Sequence, residues 1–186
     1  MYGLWKWRFG KYNTKWSESF VVVWKRRYSF IQGFRKALNN KQPDTVPAFG
    51  DDGLGGYAYT IITDKKEEEK TAVDFLVEAA AENPGELTLL AIGPCTNIAK
   101  AIQKDSEFPK KIKQLIIMGG AKYTGNMSPV AEYNFWADPL AAKIVMEAGF
   151  REVVMIGLDV TNKIALGADN KRNFKDFQYG FIPFSL

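Results

Sequence analysis

The sequence predicts an α/β fold built on an open, mostly parallel sheet with helices on both faces. Three observations predict it. Apolar runs at residues 87–92, 114–118 and 153–156 lack polar alternation, as strands buried on both faces do. Stretches with helical spacing separate these runs, and Gly- or Pro-marked turns punctuate them. Strands alternating with helices in this way form parallel sheets.

The elements follow in order. Residues 67–81 place Val73, Leu76, Val77 and Ala80 at helical spacing opposite a Lys/Glu face, and Asn83-Pro84-Gly85 stops the helix. The run 87–92 is the first strand, closed by Gly93-Pro94. A short helix over 97–103 faces Ile98, Ala101 and Ile102 inward, with Thr96 as its expected N-cap. The strand 114–118 ends at Gly119-Gly120. Asp138-Pro139 reads as an N-cap followed by proline at the first helical position, opening a helix to about residue 148. That helix is expected to bury Leu140, Ala141, Ile144 and Val145 and to end at Gly149. Residues 153–156 are the third buried strand.

Composition narrows the chemistry. The chain has no His and one Cys, so Ser-His-Asp triads, Cys-His pairs, HExxH metal sites and disulfide frameworks are excluded. A lone Cys fits a reducing cytoplasm, the expected location. The apolar run Phe20-Val-Val-Val-Trp24 is too short for a signal peptide core or a membrane span, so no membrane partner is expected. The net charge of +4 averages two unlike segments. Residues 1–37 carry nine Lys and Arg against Glu18 alone, whereas the rest carries 16 basic and 20 acidic side chains. The basic segment also holds 11 of the 26 aromatics. Such a segment could stack bases and pair with phosphates, yet packing or out-of-frame translation gives the same composition, and nucleic acid is not the expected partner. An exposed strand over residues 20–24 would instead join copies into a homo-oligomer. Residues 39–56 are rich in Asn, Pro, Asp and Gly and read as a long loop.

Ligands of such sheets bind outside the carboxyl ends of the strands. Here those ends are residues 93–97, 119–134 and 157–161, the polar and Gly-rich segments. The middle one, GGAKYTGNMSPVAEYN, offers Asn126, Glu132 and Asn134 close together. One carboxylate between two amides suits vicinal hydroxyls, because the carboxylate accepts and each amide both donates and accepts. The same side chains could equally serve the loop's own backbone.

The strings ELTLLAIGPCTNIAKAI, IKQLIIMGGA, GNMSPVAEYNFWADPLAAKIVMEAGF and VVMIGLDVTNK resemble the inosine-uridine preferring nucleoside hydrolases, and DDGLGG resembles that family's HGEDGLGG loop. The resemblance covers about residues 50–165. It implies a calcium-dependent N-ribohydrolase that splits a ribonucleoside into ribose and base through an oxocarbenium-like transition state. Calcium would grip the sugar hydroxyls and acidify the attacking water, and an Asp would take its proton. Carried onto this sequence, Asn126, Glu132 and Asn134 match ribose-binding residues, and Met118 matches a methionine packed on the sugar. Ile92 stands where the family supplies a backbone carbonyl to calcium. Asp159 lies in the LDVT stretch and reads as structural.

The departures bear on activity. The family's DTDPGxDDA string, source of calcium ligands and catalytic base, has no counterpart in residues 1–48. Phe49 replaces the His of HGEDGLGG, and residues 166–186 show no likeness. Asp51 and Asp52 match the Glu-Asp of a different loop. A single carbonyl cannot satisfy calcium's 6–8 oxygen ligands. The resemblance therefore implies an incomplete hydrolase sheet in three parts: a basic aromatic segment at 1–48, a hydrolase-like core at 49–165 and a divergent tail at 166–186. Catalytic residues are not retained, and tight calcium binding is not expected. Family-like sequence would begin near Ile31-Gln-Gly33, which resembles an IPV-x-x-G stretch. A chain disrupted in this way is expected to carry a DTDPGxDDA-like translation in another frame of its upstream DNA; sequencing that finds none would remove the disrupted-gene reading.

Overall fold

The computed structural model describes residues 2–3, 20–25, 27–34, 36–39 and 69–164, with side chains from residue 31 onward. Asp51, Asp52, Phe49, the DDGLGG string, the loop beyond Asn39 and the 166–186 tail lie outside the described residues. Chain order is β1 (Tyr2–Gly3), β2 (Phe20–Lys25), β3 (Arg27–Gln32), α1 (Ala72–Glu82), β4 (Leu87–Ala91) and α2 (Thr96–Lys104). It continues with α3 (Phe108–Lys111), β5 (Ile112–Met118), α4 (Tyr133–Ala137), α5 (Pro139–Glu147), β6 (Val153–Ile156) and α6 (Leu158–Thr161).

The main sheet has the order β1-β4-β5-β6 with parallel pairings, which is the expected fold class. Leu89 lies beside Leu115 and Ala91 beside Ile117 in the β4–β5 ladder. These residues share a core with Val73, Leu76 and Ala80 of α1, Ile98 and Ala101 of α2, and Ala141 and Val145 of α5. Phe108 closes that core and meets Phe150 edge-to-face at 6.3 Å, a preferred aromatic geometry.

Several boundaries differ from the sequence expectation for local reasons. Helix α1 starts at Ala72 rather than 67, because Thr71 is its N-cap and accepts a hydrogen bond from the Asp74 amide. Helix α2 includes Thr96, and Cys95 stands at the cap position without a side-chain cap bond. The Thr96 hydroxyl is spent elsewhere, on Asp138 at 2.7 Å. Helix α5 is capped by Asp138 as expected, with Pro139 in its first turn and Gly149 beyond its end at φ +72°. Leu140, however, is 48% exposed; the helix turns Ala141, Ala142 and Val145 inward instead. Strand β6 forms where expected, but Val153, Val154 and Met155 are exposed. It is the outermost strand, so nothing pairs with its far edge among the described residues.

The N-terminal region also departs from expectation. Residues 20–24 do not stand alone: β2 pairs antiparallel with β3, Phe20 opposite Gln32 and Lys25 opposite Arg27. The free edge of β4 is met over two residues, Tyr2 beside Leu89 and Gly3 beside Leu90. The stretch after β3 is docked on the body. Ile31 is fully buried in the core, the Phe34 amide donates to Asn97 Oδ1 at 2.9 Å, and Lys100 sits over the Phe34 ring.

Asp138 gathers three segments. Its Oδ2 accepts from the Leu38 amide at 2.8 Å and from Thr96, and its Oδ1 accepts from the Ala141 amide at 3.0 Å. At 1% exposure, a buried carboxylate depends on such donors, since losing them leaves its desolvation uncompensated. Burial, with Asp138 and Glu132 nearby, pushes the Cys95 thiol up to about 12, so it stays protonated at neutral pH. On the surface, Lys111 beside Asp105 at 2.7 Å holds that carboxyl below its ordinary value. Asp138→Ala should lower unfolding free energy by at least about 3 kcal/mol, three lost bonds at about 1 kcal/mol or more each, and Asp138→Asn by less. Urea denaturation of the two variants checks this order.

Candidate functional site

Strand β5 delivers its chain to the carboxyl end of the sheet at Met118, and Gly119-Gly120 turns it into the loop. Gly120 has φ +73°, a conformation that L side chains rarely adopt. A side chain at Gly119 would run into the Phe135 ring, with Cβ only 2.5 Å from Cε1. The neighbouring β6 end presses equally close. The Leu158 amide donates to the Gly120 carbonyl at 3.0 Å, and a Cβ at Gly157 would stand 2.7 Å from that oxygen.

The loop folds back on itself beyond Gly125. The Asn126 and Met127 amides both donate to the Ala131 carbonyl at 3.0 Å, and a Cβ on Gly125 would lie 2.3 Å from Ala131 N. This return brings Asn126 to the start of α4, where its Oδ1 accepts from the Tyr133 amide at 2.9 Å.

Glu132 is the N-cap of α4 and is 2% exposed. Its Oε1 accepts from the Asn134 amide at 2.8 Å, while Oε2 accepts from the Gly120 amide at 2.9 Å and the Phe135 amide at 3.2 Å. A carboxylate at a helix N-terminus is favoured both by the orphan amides and by the helix dipole. Asn134, itself buried, donates from Nδ2 to the Met118 carbonyl at 2.8 Å and touches Met118 Sδ at 3.2 Å.

The structure thus brings Met118, Glu132 and Asn134 into direct contact or one bond apart, with Asn126 joined through Tyr133. Asn126, Glu132 and Asn134 each hold backbone at the carboxyl end of β5, the self-satisfying part that the sequence allows them. The hydrogen bonds also fix the amide orientations. Asn126 turns its oxygen to an N–H and so offers its NH2; Asn134 turns its NH2 to a carbonyl and so offers its oxygen. Three of the roughly four acceptor positions of Glu132 are taken, leaving one on Oε1. An apolar recess of about 380 Å³ adjoins Glu132, lined by Val130, Phe135, Trp136 and Met155 among others.

Ile92 lies just past β4 and is 43% exposed. The described residues do not make up the oxygen shell of a calcium ion. Its carbonyl is one oxygen, and no group of three His, Cys, Asp or Glu side chains occurs among the described residues. Hard cations need more oxygens than that.

Sequence reasoning gave Asp159 a structural part without a partner. Its carboxylate accepts from the Lys122 amide at 2.6 Å and the Tyr123 amide at 3.3 Å, across the mouth of the same loop. The available signal was position alone, an acid just after a strand whose carboxyl end faces the loop. Gly157→Ala should cost about 1–3 kcal/mol by forcing Gly120 away, whereas Gly93→Ala, with open space at its Cβ, should cost far less. Equal denaturation midpoints for the two would contradict this close approach.

Comparison with known proteins extends the picture. A sequence profile of the inosine-uridine preferring nucleoside hydrolases matches residues 13–182, past both ends of the stretch that carries the resemblance. A probable uridine nucleosidase 2 of Oryza sativa subsp. japonica is 42% identical over 135 residues, covering 72% of this chain and 40% of that protein. The pyrimidine-specific ribonucleoside hydrolase RihB of Escherichia coli O157:H7 is 38% identical over 120 residues, 64% of this chain and 38% of that one. A solved plant nucleoside hydrolase superposes with a TM-score of 0.69 at 35% identity, over 77% of this chain and 46% of its own. A purine-preferring ribonucleoside hydrolase from Gardnerella vaginalis gives 0.70 at 32% identity, over 78% and 47%. This chain spans less than half the length of each of these four proteins. With the profile matched across most of its residues and an α/β sheet in common with these solved relatives, the chain belongs to the inosine-uridine preferring nucleoside hydrolase family.

Proposed function

We propose that these residues carry the sugar-recognising side of a nucleoside N-ribohydrolase site, the enzyme class that splits purine or pyrimidine ribonucleosides into ribose and base. The observation that carries this reading is the convergence of Asn126, Glu132, Asn134 and Met118 at the carboxyl end of β5. A donor on Asn126, an acceptor on Asn134 and one remaining acceptor on Glu132 match neighbouring hydroxyls that each donate and accept. Met118 supplies a soft apolar contact for the sugar ring. Glu132 is so committed to backbone that its main part is to hold Asn134 in place. A small-molecule ribonucleoside is the proposed partner, the cytoplasm the proposed setting, and self-association the proposed state.

No step is assigned to calcium, because the described donors do not fit it. The 186 residues contain no DTDPGxDDA-like string to supply a base. That observation favours a second reading for this polypeptide by itself, a nucleoside-binding remnant without turnover.

Incubation with inosine or uridine and added calcium is expected to release no free base, and calorimetry to find no micromolar calcium binding. Uridine and inosine should still shift the amide resonances of Gly120, Asn126 and Asn134 saturably. Asn126→Ala or Asn134→Ala should weaken that binding about fivefold, the equivalent of one hydrogen bond. Micromolar calcium affinity would overturn the metal expectation. Unmoved resonances at high nucleoside concentration would end the sugar-site reading.

A further inference from the structure

The loop from β5 to α4 is held by a carboxylate at each end. Glu132 grips the far end through the Asn134 and Phe135 amides and ties it back to the Gly120 amide beside β5. Asp159, from α6, grips the near end through the Lys122 and Tyr123 amides, one on each of its oxygens. Charge-assisted bonds of this kind are stronger than neutral ones. The position of Asp159 is itself fixed against the loop. The Gly119 amide donates to the Ile156 carbonyl at 3.2 Å, the Leu158 amide donates to the Gly120 carbonyl, and Gly157 leaves no room for a side chain between them.

From this arrangement we propose that Asp159 is a positioning residue of the sugar-binding loop. It sets where the chain leaves Ala121, and so where Asn126 arrives against the Tyr133 amide. Without it the loop is pinned at Gly120 and again at the Asn126–Ala131 turn, and the exposed Lys122–Thr124 stretch between is free to swing. Asp159 touches neither sugar nor base; it acts through Asn126. The assignment rests on the ribose-binding reading for its purpose, whereas the clamp itself can be measured without any ligand.

The test is amide hydrogen exchange on the whole chain, comparing wild type with Asp159→Ala, Asp159→Asn and Asp159→Glu. In Asp159→Ala, exchange at Lys122 and Tyr123 should speed up about tenfold or more, and at Tyr133, whose amide reports on Asn126, by severalfold. The β5 amides should be unchanged, which separates loss of position from loss of fold. Asp159→Asn keeps one acceptor oxygen and should protect one of the two loop amides, and Asp159→Glu should restore part of the Tyr133 protection. Uridine affinity should fall severalfold in Asp159→Ala in parallel with Tyr133, by no more than the roughly fivefold of Asn126→Ala. Unchanged Tyr133 protection in Asp159→Ala would overturn the proposal, and so would an unchanged uridine affinity once Tyr133 had lost protection. A wild-type chain that binds no nucleoside would instead sink the ribose reading while leaving the Tyr133 measurement able to decide the clamp.

Discussion

Placing a carboxylate in a protein interior is costly unless donors replace the water it gives up. Asp138 satisfies that constraint with donors from three separate segments, the Leu38 amide, the Thr96 hydroxyl and the Ala141 amide. The geometry of one side chain therefore dictates where the start of α2, the start of α5 and the 36–39 stretch meet. Much of the packing follows from that junction. Helices α2 and α5 lie against each other, Ala37 is buried beside Leu38, and Cys95 is sealed at the base of α2. Asn97 repeats the device one residue along by holding the Phe34 amide. The body is thus coupled to residues far away in sequence by polar contacts as much as by apolar ones.

The carboxyl end of the sheet depends on a second constraint, the close approach of β5 and β6 where they leave the sheet. Parallel strands bring their carboxyl ends to one edge, so the loops after Met118 and Ile156 must share space. Three glycines make that sharing feasible: Gly119 lies against Phe135, Gly120 adopts a left-handed turn, and Gly157 lies against the Gly120 carbonyl. With the backbones this close, their amides come within reach of carboxylates on neighbouring elements. Polar groups that would serve a ligand are, in the same positions, what keeps the loop folded.

The legible parts of the fold were those specified locally. Strands β4 and β5 announce themselves as unbroken apolar runs, and Asp138-Pro139 with Gly149 marks α5 at both ends. What went unseen required a partner from elsewhere. Thr96 looks like a cap from its neighbours, and only the distant Asp138 explains why its hydroxyl faces away from α2. An apolar run cannot reveal whether a strand is central or outermost, so β6 reads as buried although it is the last strand of the sheet among the described residues. Leu140 reads as inward from hydrophobicity alone, but the arc of α5 that meets the core is narrow and holds alanines. In the candidate site, the proximity of Asn126, Glu132 and Asn134 was readable from a single segment. The allocation of Glu132 to three backbone amides was not, because it depends on how the loop folds back.

The Leu38–Asp138 bond also has a temporal side. Its two residues are 100 positions apart, and at about 5–20 residues per second a ribosome needs roughly 5–20 s to make the second after the first. Early in that interval Ile31, fully buried in the finished fold, has no core to join, and its partners on α1, β4 and β5 follow one after another before Asp138 is made. The stretches around Ile31 and Leu38 are therefore among the last of the described segments to settle. Closing a loop of that length carries an entropic cost, so the Leu38–Asp138 bond forms only once the intervening core holds its two ends together.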